Sequence, residues 1–123
     1  MSVRAVEWLG NKLRILDQSQ LPHKEVFLDL GDYREVVSAI KTMQVRGAPA
    51  IGVAAAYGIA LGAQELAAKS QDQFLQRLAP VLEAFAASRP TAVNLFRAIE
   101  RMKGAARGGD VGEIKRALVD EAR

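Results

Sequence analysis

Two arginines stand where the backbone is prepared to receive an anion. Arg46-Gly47-Ala48-Pro49 leads straight into an apolar helical run. Proline suits the first turn of a helix, because its missing N–H would have no partner there. Glycine reaches backbone angles that other residues avoid. Such a start offers unpaired N–H groups, the positive end of the helix dipole and a planar guanidinium fork, the ingredients for holding a phosphate or carboxylate. Ser88-Arg89-Pro90-Thr91 repeats the arrangement, with Thr91 as the expected N-cap of the next helix and Arg89 two residues ahead of it. Two such units in one small chain can converge on one anion. The competing reading leaves each arginine solvated or paired with Asp or Glu.

Other chemistry-bearing residues point less clearly. His23, after Pro22, reads as a loop residue rather than a catalytic one. Asp29 and Asp32 resemble a carboxylate pair, but Asp32 is better explained as a helix cap. Trp8 and Tyr57 read as packing groups. No Ser-His-Asp arrangement, dinucleotide fingerprint or P-loop is present. The chain has no cysteine, which excludes disulfides, thiolate metal sites and cysteine chemistry within it, and one histidine excludes a multi-histidine site. No metal and no cofactor is expected. The net charge of +3 is too mild to be a nucleic-acid footprint. Nothing resembling a signal-peptide core follows Met1-Ser2-Val3-Arg4, so a cytoplasmic location is the expectation.

The elements that must carry the arginines follow from composition and period. The 123 residues suffice for one domain, half of them hydrophobic and a quarter charged, as in a folded globular protein. Of 21 alanines only Ala5 precedes residue 39. The first 31 residues carry strand-like runs, predicted as strands at about 3–8, 12–17 and 25–30. Leu9-Gly10-Asn11-Lys12 is a hairpin turn between the first two, and Leu21-Pro22-His23 is a break before the third.

From Gly31 the period becomes helical. Asp32 and Glu35 form a capping box, and Tyr33, Val36, Val37, Ile40 and Met43 share a face. Phe74, Leu78, Leu82 and Phe85 form a second stripe, in a helix that Pro80 should kink or split. Ala92, Leu95, Ile99, Met102 and Ala106 form a third, whose solvated outer face holds Arg97, Glu100, Arg101 and Lys103. Gly108-Gly109-Asp110 ends that helix and caps a last one, with Val111, Ile114 and Leu118 inside. Asp120-Glu121-Ala122-Arg123 gives no stop signal, as in a chain cut from a longer one. The fold class is therefore α+β and mostly helical: a small antiparallel sheet of about three strands (1–31) followed by a helical bundle (32–123).

Residues 47–64 contain no charge. The run is slightly short for a membrane span, and its side chains are small. It reads instead as the central helix of a bundle, apolar all round because neighbours surround it. Gly52, Gly58 and Gly62 each forfeit about 1 kcal/mol of helix propensity relative to alanine. Close packing, or a site that needs close backbone approach, must offset the loss.

The run Val45-Arg46-Gly47-Ala48-Pro49-Ala50-Ile51-Gly52-Val53-Ala54-Ala55-Ala56-Tyr57-Gly58 resembles the signature of the 5-methylthioribose-1-phosphate isomerases of methionine salvage. Arg89-Pro90-Thr91-Ala92-Val93-Asn94-Leu95 resembles that family's second N-terminal motif, and Leu16-Asp17-Gln18 with Leu21-Pro22 the segment after its first hairpin. The resemblance extends essentially end to end. A looser form of the motifs belongs to ribose-1,5-bisphosphate isomerase and to the regulatory subunits of the eukaryotic translation-initiation exchange factor. The resemblance implies that residues 1–123 are a single N-terminal domain, followed in the family by a Rossmann-like C-terminal catalytic domain, in a homodimeric parent. It implies an aldose–ketose isomerisation of 5-methylthioribose 1-phosphate to 5-methylthioribulose 1-phosphate, with Arg46, Gly47, Ala48 and Arg89 as substrate-binding residues. The family's catalytic cysteine and aspartate belong to the second domain, so no catalytic residue is expected in this chain, and no turnover by it alone. A phosphorylated thiosugar is the implied ligand; neither nucleic acid nor a membrane is an expected partner. Two further readings remain: a non-catalytic regulatory or interaction module, and a helical domain with ordinary surface arginines.

Overall fold

The computed structural model describes residues 5–20, 23–89, 92–106 and 110–122. The order is β1 (Val6–Trp8), β2 (Leu13–Leu16), a 3-10 turn (Gln18–Gln20), β3 (Phe27–Leu30), then five helices. These are α1 (Tyr33–Lys41), α2 (Ala48–Gln64), α3 (Gln71–Ser88), α4 (Val93–Ala105) and α5 (Val111–Ala122). The α+β class and the three antiparallel strands agree with the sequence reading.

The strands pair in the order β1-β2-β3. Leu9 N–H donates to Lys12 O at 2.9 Å across the first turn, and Gly10 supplies a φ of 93°. The register sets Trp8 opposite Leu13, Val6 and Leu28 opposite Ile15, and Leu30 opposite Leu13, which makes one apolar face. The other face places Arg14 opposite Asp29, joined by Nε–Oδ1 at 2.7 Å and Nη2–Oδ2 at 3.1 Å. That hydrogen bond holds the Asp29 carboxyl below its ordinary range, so Asp29 is a sheet residue and no carboxylate pair exists with Asp32. The strands are shorter than expected at their ends. Residues 3–4 and the Leu21-Pro22 break lie outside the described part.

Asp32 caps α1: its Oδ1 accepts from Arg34 N–H at 2.8 Å while Glu35 Oε1 accepts from Asp32 N–H at 3.2 Å. The helix stops earlier than its stripe predicts. Met43 lies beyond Lys41 with φ 66° and is exposed, and Val45 takes the buried position instead. In α3, Pro80 neither splits nor ends the helix. Pro80 and Gln76, the residue whose carbonyl loses its partner, are both exposed, so water can satisfy that group. Buried Leu78 and Val81 clamp the helix on its other side, and half-buried Leu82 packs against the core beside them.

Helix α2 packs against all four other helices and against β1 and β2. Its glycines are sites of close approach. A Cβ on Gly58 would lie 2.4 Å from Phe85 Cζ and 2.9 Å from Val36 Cγ1, and one on Gly62 would lie 2.9 Å from Val81 Cγ1. The lost propensity is thus exchanged for contact distances that no larger residue permits. Trp8 stacks on Tyr57 with centroids 5.3 Å apart, which joins the sheet to this helix. Among the described residues no helix is long and apolar enough to cross a membrane.

Candidate functional site

Arg46 and Arg89 line the same cavity, a volume of about 460 Å³ bounded also by Met43, Gly47, Ile51, Ala92, Val93 and Asn94. Its floor follows from the packing of α2 on α4. A Cβ on Gly52 would sit 3.4 Å from Asn94 O, so the two helices meet close to both of their starts. Near-contact at this point brings the residues ahead of each helix to one place.

Gly47 is the N-cap of α2, with φ 93° and ψ 132°, and Ile51 N–H closes the first turn on Gly47 O at 3.0 Å. No side chain caps this end. Pro49 stands in the first turn, as its missing N–H allows. Ala48 is the first residue of α2; its side chain is outside the described part. A Cβ on Gly47 would meet nothing within 4 Å, so backbone angle alone demands glycine.

The second half differs from expectation. Arg89 ends α3, and α4 begins at Val93 with Ala92 as N-cap. The expected cap, Thr91, lies outside the described residues, and the cap position falls one residue later. Ala92 N–H donates to Arg89 O at 3.0 Å, which ties the end of α3 to the cap position of α4. This start also lacks a side-chain cap.

Among the described residues neither arginine makes an ion pair; ion pairs form instead at Arg14, Arg34, Arg101 and Lys103. Among the described residues the cavity wall contains no Asp, Glu, His or Lys. It therefore offers two guanidinium forks, helix-start N–H groups and an apolar rim, and among the described residues no carboxylate, imidazole or amine side chain to exchange protons. His23 is exposed and does not line it.

The sequence reading passed over a buried carboxylate bonded to the loop that carries Arg46. Asp17, only 3% exposed, accepts from Ser19 N–H at 3.0 Å and Ser19 Oγ at 2.5 Å through Oδ1, and from Gln44 Nε2 at 3.1 Å through Oδ2. Burial alone raises the carboxyl's pKa, but these hydrogen bonds outweigh it and leave it below the ordinary 3.8. No spacing rule links residues 17 and 44; only the Leu16-Asp17-Gln18 motif drew attention to that segment.

Sheet, bundle and cleft together define an α+β domain with a basic cavity between two helix starts. The chain belongs to the Initiation factor 2 subunit family, whose model matches residues 44–123. It is 50% identical to a methylthioribose-1-phosphate isomerase of Geobacter metallireducens over 99% of this chain, and 51% identical to one of Dehalococcoides mccartyi strain CBDB1 over 98%. It spans about 36% of the length of each. Among solved structures, 5-methylthioribose 1-phosphate isomerase from Pyrococcus horikoshii OT3 superposes with a TM-score of 0.91 at 39% identity, covering 98% of this chain and 35% of that one. The translation initiation factor eIF-2B subunit delta from A. fulgidus gives 0.89 at 40% identity, covering 98% and 36%.

Proposed function

We propose that this chain is the substrate-gripping N-terminal domain of a methylthioribose-1-phosphate isomerase, which interconverts 5-methylthioribose 1-phosphate and 5-methylthioribulose 1-phosphate. The single observation that carries the reading is the cavity shared by Arg46 and Arg89, lined by two uncapped helix starts and, among the described residues, free of acidic side chains. Identity near 50% to relatives named for this activity supports the choice of substrate.

In this reading the two guanidinium groups and the N–H groups following Gly47 hold the phosphate. Gly47 keeps the backbone low enough for an oxygen to approach, and Ala48 adds no bulk. Fixing a non-reacting phosphate places the sugar carbons, so its binding energy serves orientation. Moving a hydrogen between adjacent sugar carbons requires groups that give and take protons. The described cavity wall has none; the family resemblance implies that the acid–base pair, a cysteine and an aspartate, belongs to a C-terminal Rossmann-like domain of the parent protein. The parent is read as a cytoplasmic homodimer, and residues 1–123 alone as inactive.

Calorimetry of the chain with ribose 1-phosphate and with inorganic phosphate tests the grip. Arg46→Ala and Arg89→Ala should each cost about 1.5–3 kcal/mol of binding, the range for a hydrogen bond to a charged group. No binding by the unaltered chain, or none lost in either variant, would overturn it. The likeness to the A. fulgidus initiation-factor subunit supports a second reading, a regulatory module without chemistry. A parent sequence lacking the cysteine–aspartate pair would favour that reading.

A further inference from the structure

The segment between α1 and α2 carries Arg46 but has little packing of its own. It contains the only two positive-φ residues of the described bundle, Met43 at 66° and Gly47 at 93°. Met43, Arg46 and Gly47 are exposed, and only Val45 is buried. A backbone with two residues in sparsely populated angles holds one shape only if its surroundings fix it.

Val45 N–H donates to Ala39 O at 3.1 Å and Met43 N–H to Ile40 O at 3.3 Å, which ties the segment to the end of α1; its second anchorage comes from the end of the sheet. Gln44 touches the 17–19 segment twice: its side-chain Nε2 donates to Asp17 Oδ2 at 3.1 Å, and its carbonyl accepts from Gln18 N–H at 2.8 Å. The other Asp17 oxygen is occupied by Ser19, and Asp17 N–H donates to Val26 O at 2.7 Å, so the carboxylate is itself held firmly. A buried carboxylate with every contact polar and directed is an anchor, not a reactive group.

We propose that Asp17 and Gln44 form a clasp that positions Arg46 for its ligand, a role that rests on the phosphate-gripping reading above. They are positioning residues: neither lines the cavity. The sheet thereby has a task in recognition beyond covering the core. It supplies a rigid post to which the arginine-bearing loop is tied two residues before Arg46.

The clasp has a direction, amide donor to carboxylate acceptor, and the test inverts it. Gln44→Glu sets two carboxylates against each other; adding Asp17→Asn restores a donor–acceptor pair with the roles exchanged. The readouts on the full chain are ¹⁵N relaxation of the Val45–Gly47 amides, affinity for ribose 1-phosphate, and Tm. The single variant is expected to bring the loop order parameters below about 0.6 and weaken binding about tenfold. The double variant should recover both. Unchanged loop order in Gln44→Glu, a loosened loop with unchanged affinity, or a double variant that recovers Tm without loop order would each overturn the clasp. If the unaltered chain binds no ribose 1-phosphate, the phosphate-gripping reading and the ligand-positioning role both fall, while the relaxation arm still reports whether the pair orders the loop.

Discussion

Helix starts in this molecule come in two kinds. Those of α1, α3 and α5 are closed by side chains: Asp32 accepts from Arg34 N–H, Ser70 from Gln73 N–H at 3.2 Å, and Asp110 from Glu113 N–H at 2.9 Å. Those of α2 and α4 have Gly47 and Ala92 at the cap position and no side-chain cap. The two open starts are the two that face the arginine cavity. A cap is worth about 1 kcal/mol, so leaving it out at two neighbouring positions forgoes stability where an outside anion can complete the bonding. Closed ends serve the fold, and open ends are available for a ligand.

The largest test of this contrast removes both forks. Arg46→Ala with Arg89→Ala should abolish ribose 1-phosphate binding in calorimetry and leave Tm nearly unchanged, since neither side chain supports an ion pair among the described residues. A large loss of Tm would show that the arginines belong to the fold. Next is the packing of the central helix α2 against α3 and α1. Gly58→Ala forces a Cβ against Phe85. Overpacking of about 1–3 kcal/mol, partly offset by about 1 kcal/mol of helix propensity, should leave a net loss of up to about 2 kcal/mol in urea unfolding.

A smaller pair of variants exchanges the two kinds of end. Asp32→Ala should cost about 1 kcal/mol of stability with ribose 1-phosphate affinity intact. Ala92→Asp should do the reverse, adding about 0.5–1 kcal/mol as a cap while its carboxylate repels the phosphate. If Ala92→Asp leaves affinity as it was, the open end of α4 does not meet the ligand.

The smallest effect is in acid. Asp17 ionises at lower pH folded than unfolded, so its contribution is complete above 3.8 and is lost as pH falls through its folded value. The stability gap between the unaltered chain and Asp17→Asn, followed by urea unfolding, should hold constant above pH 5 and narrow below 3.8.

Much of this was legible from local pattern. Asp32 with Glu35, Gly10 in the first turn and Asp110 before the last helix are signals spanning four residues or fewer, and each forms the contact its chemistry predicts. Two of the misplacements share a cause. Pro80 is tolerated because it faces water while its neighbours are clamped, and Met43 leaves its stripe because Val45 fills the buried place. In both, the surroundings of the element overrode a local preference.

The sequence by itself determined the periods, the caps, the charge-free central helix and the presence of two arginines ahead of helical runs, because those depend on bonds between residues a turn apart. Tertiary structure decided that the arginines share one cavity and that Asp17 ties down the loop of the first. Those facts depend on how closely α2 approaches α4 at Gly52 and where the sheet ends against Gln44. Such distances are fixed only when the whole core closes, and no stretch of chain contains them.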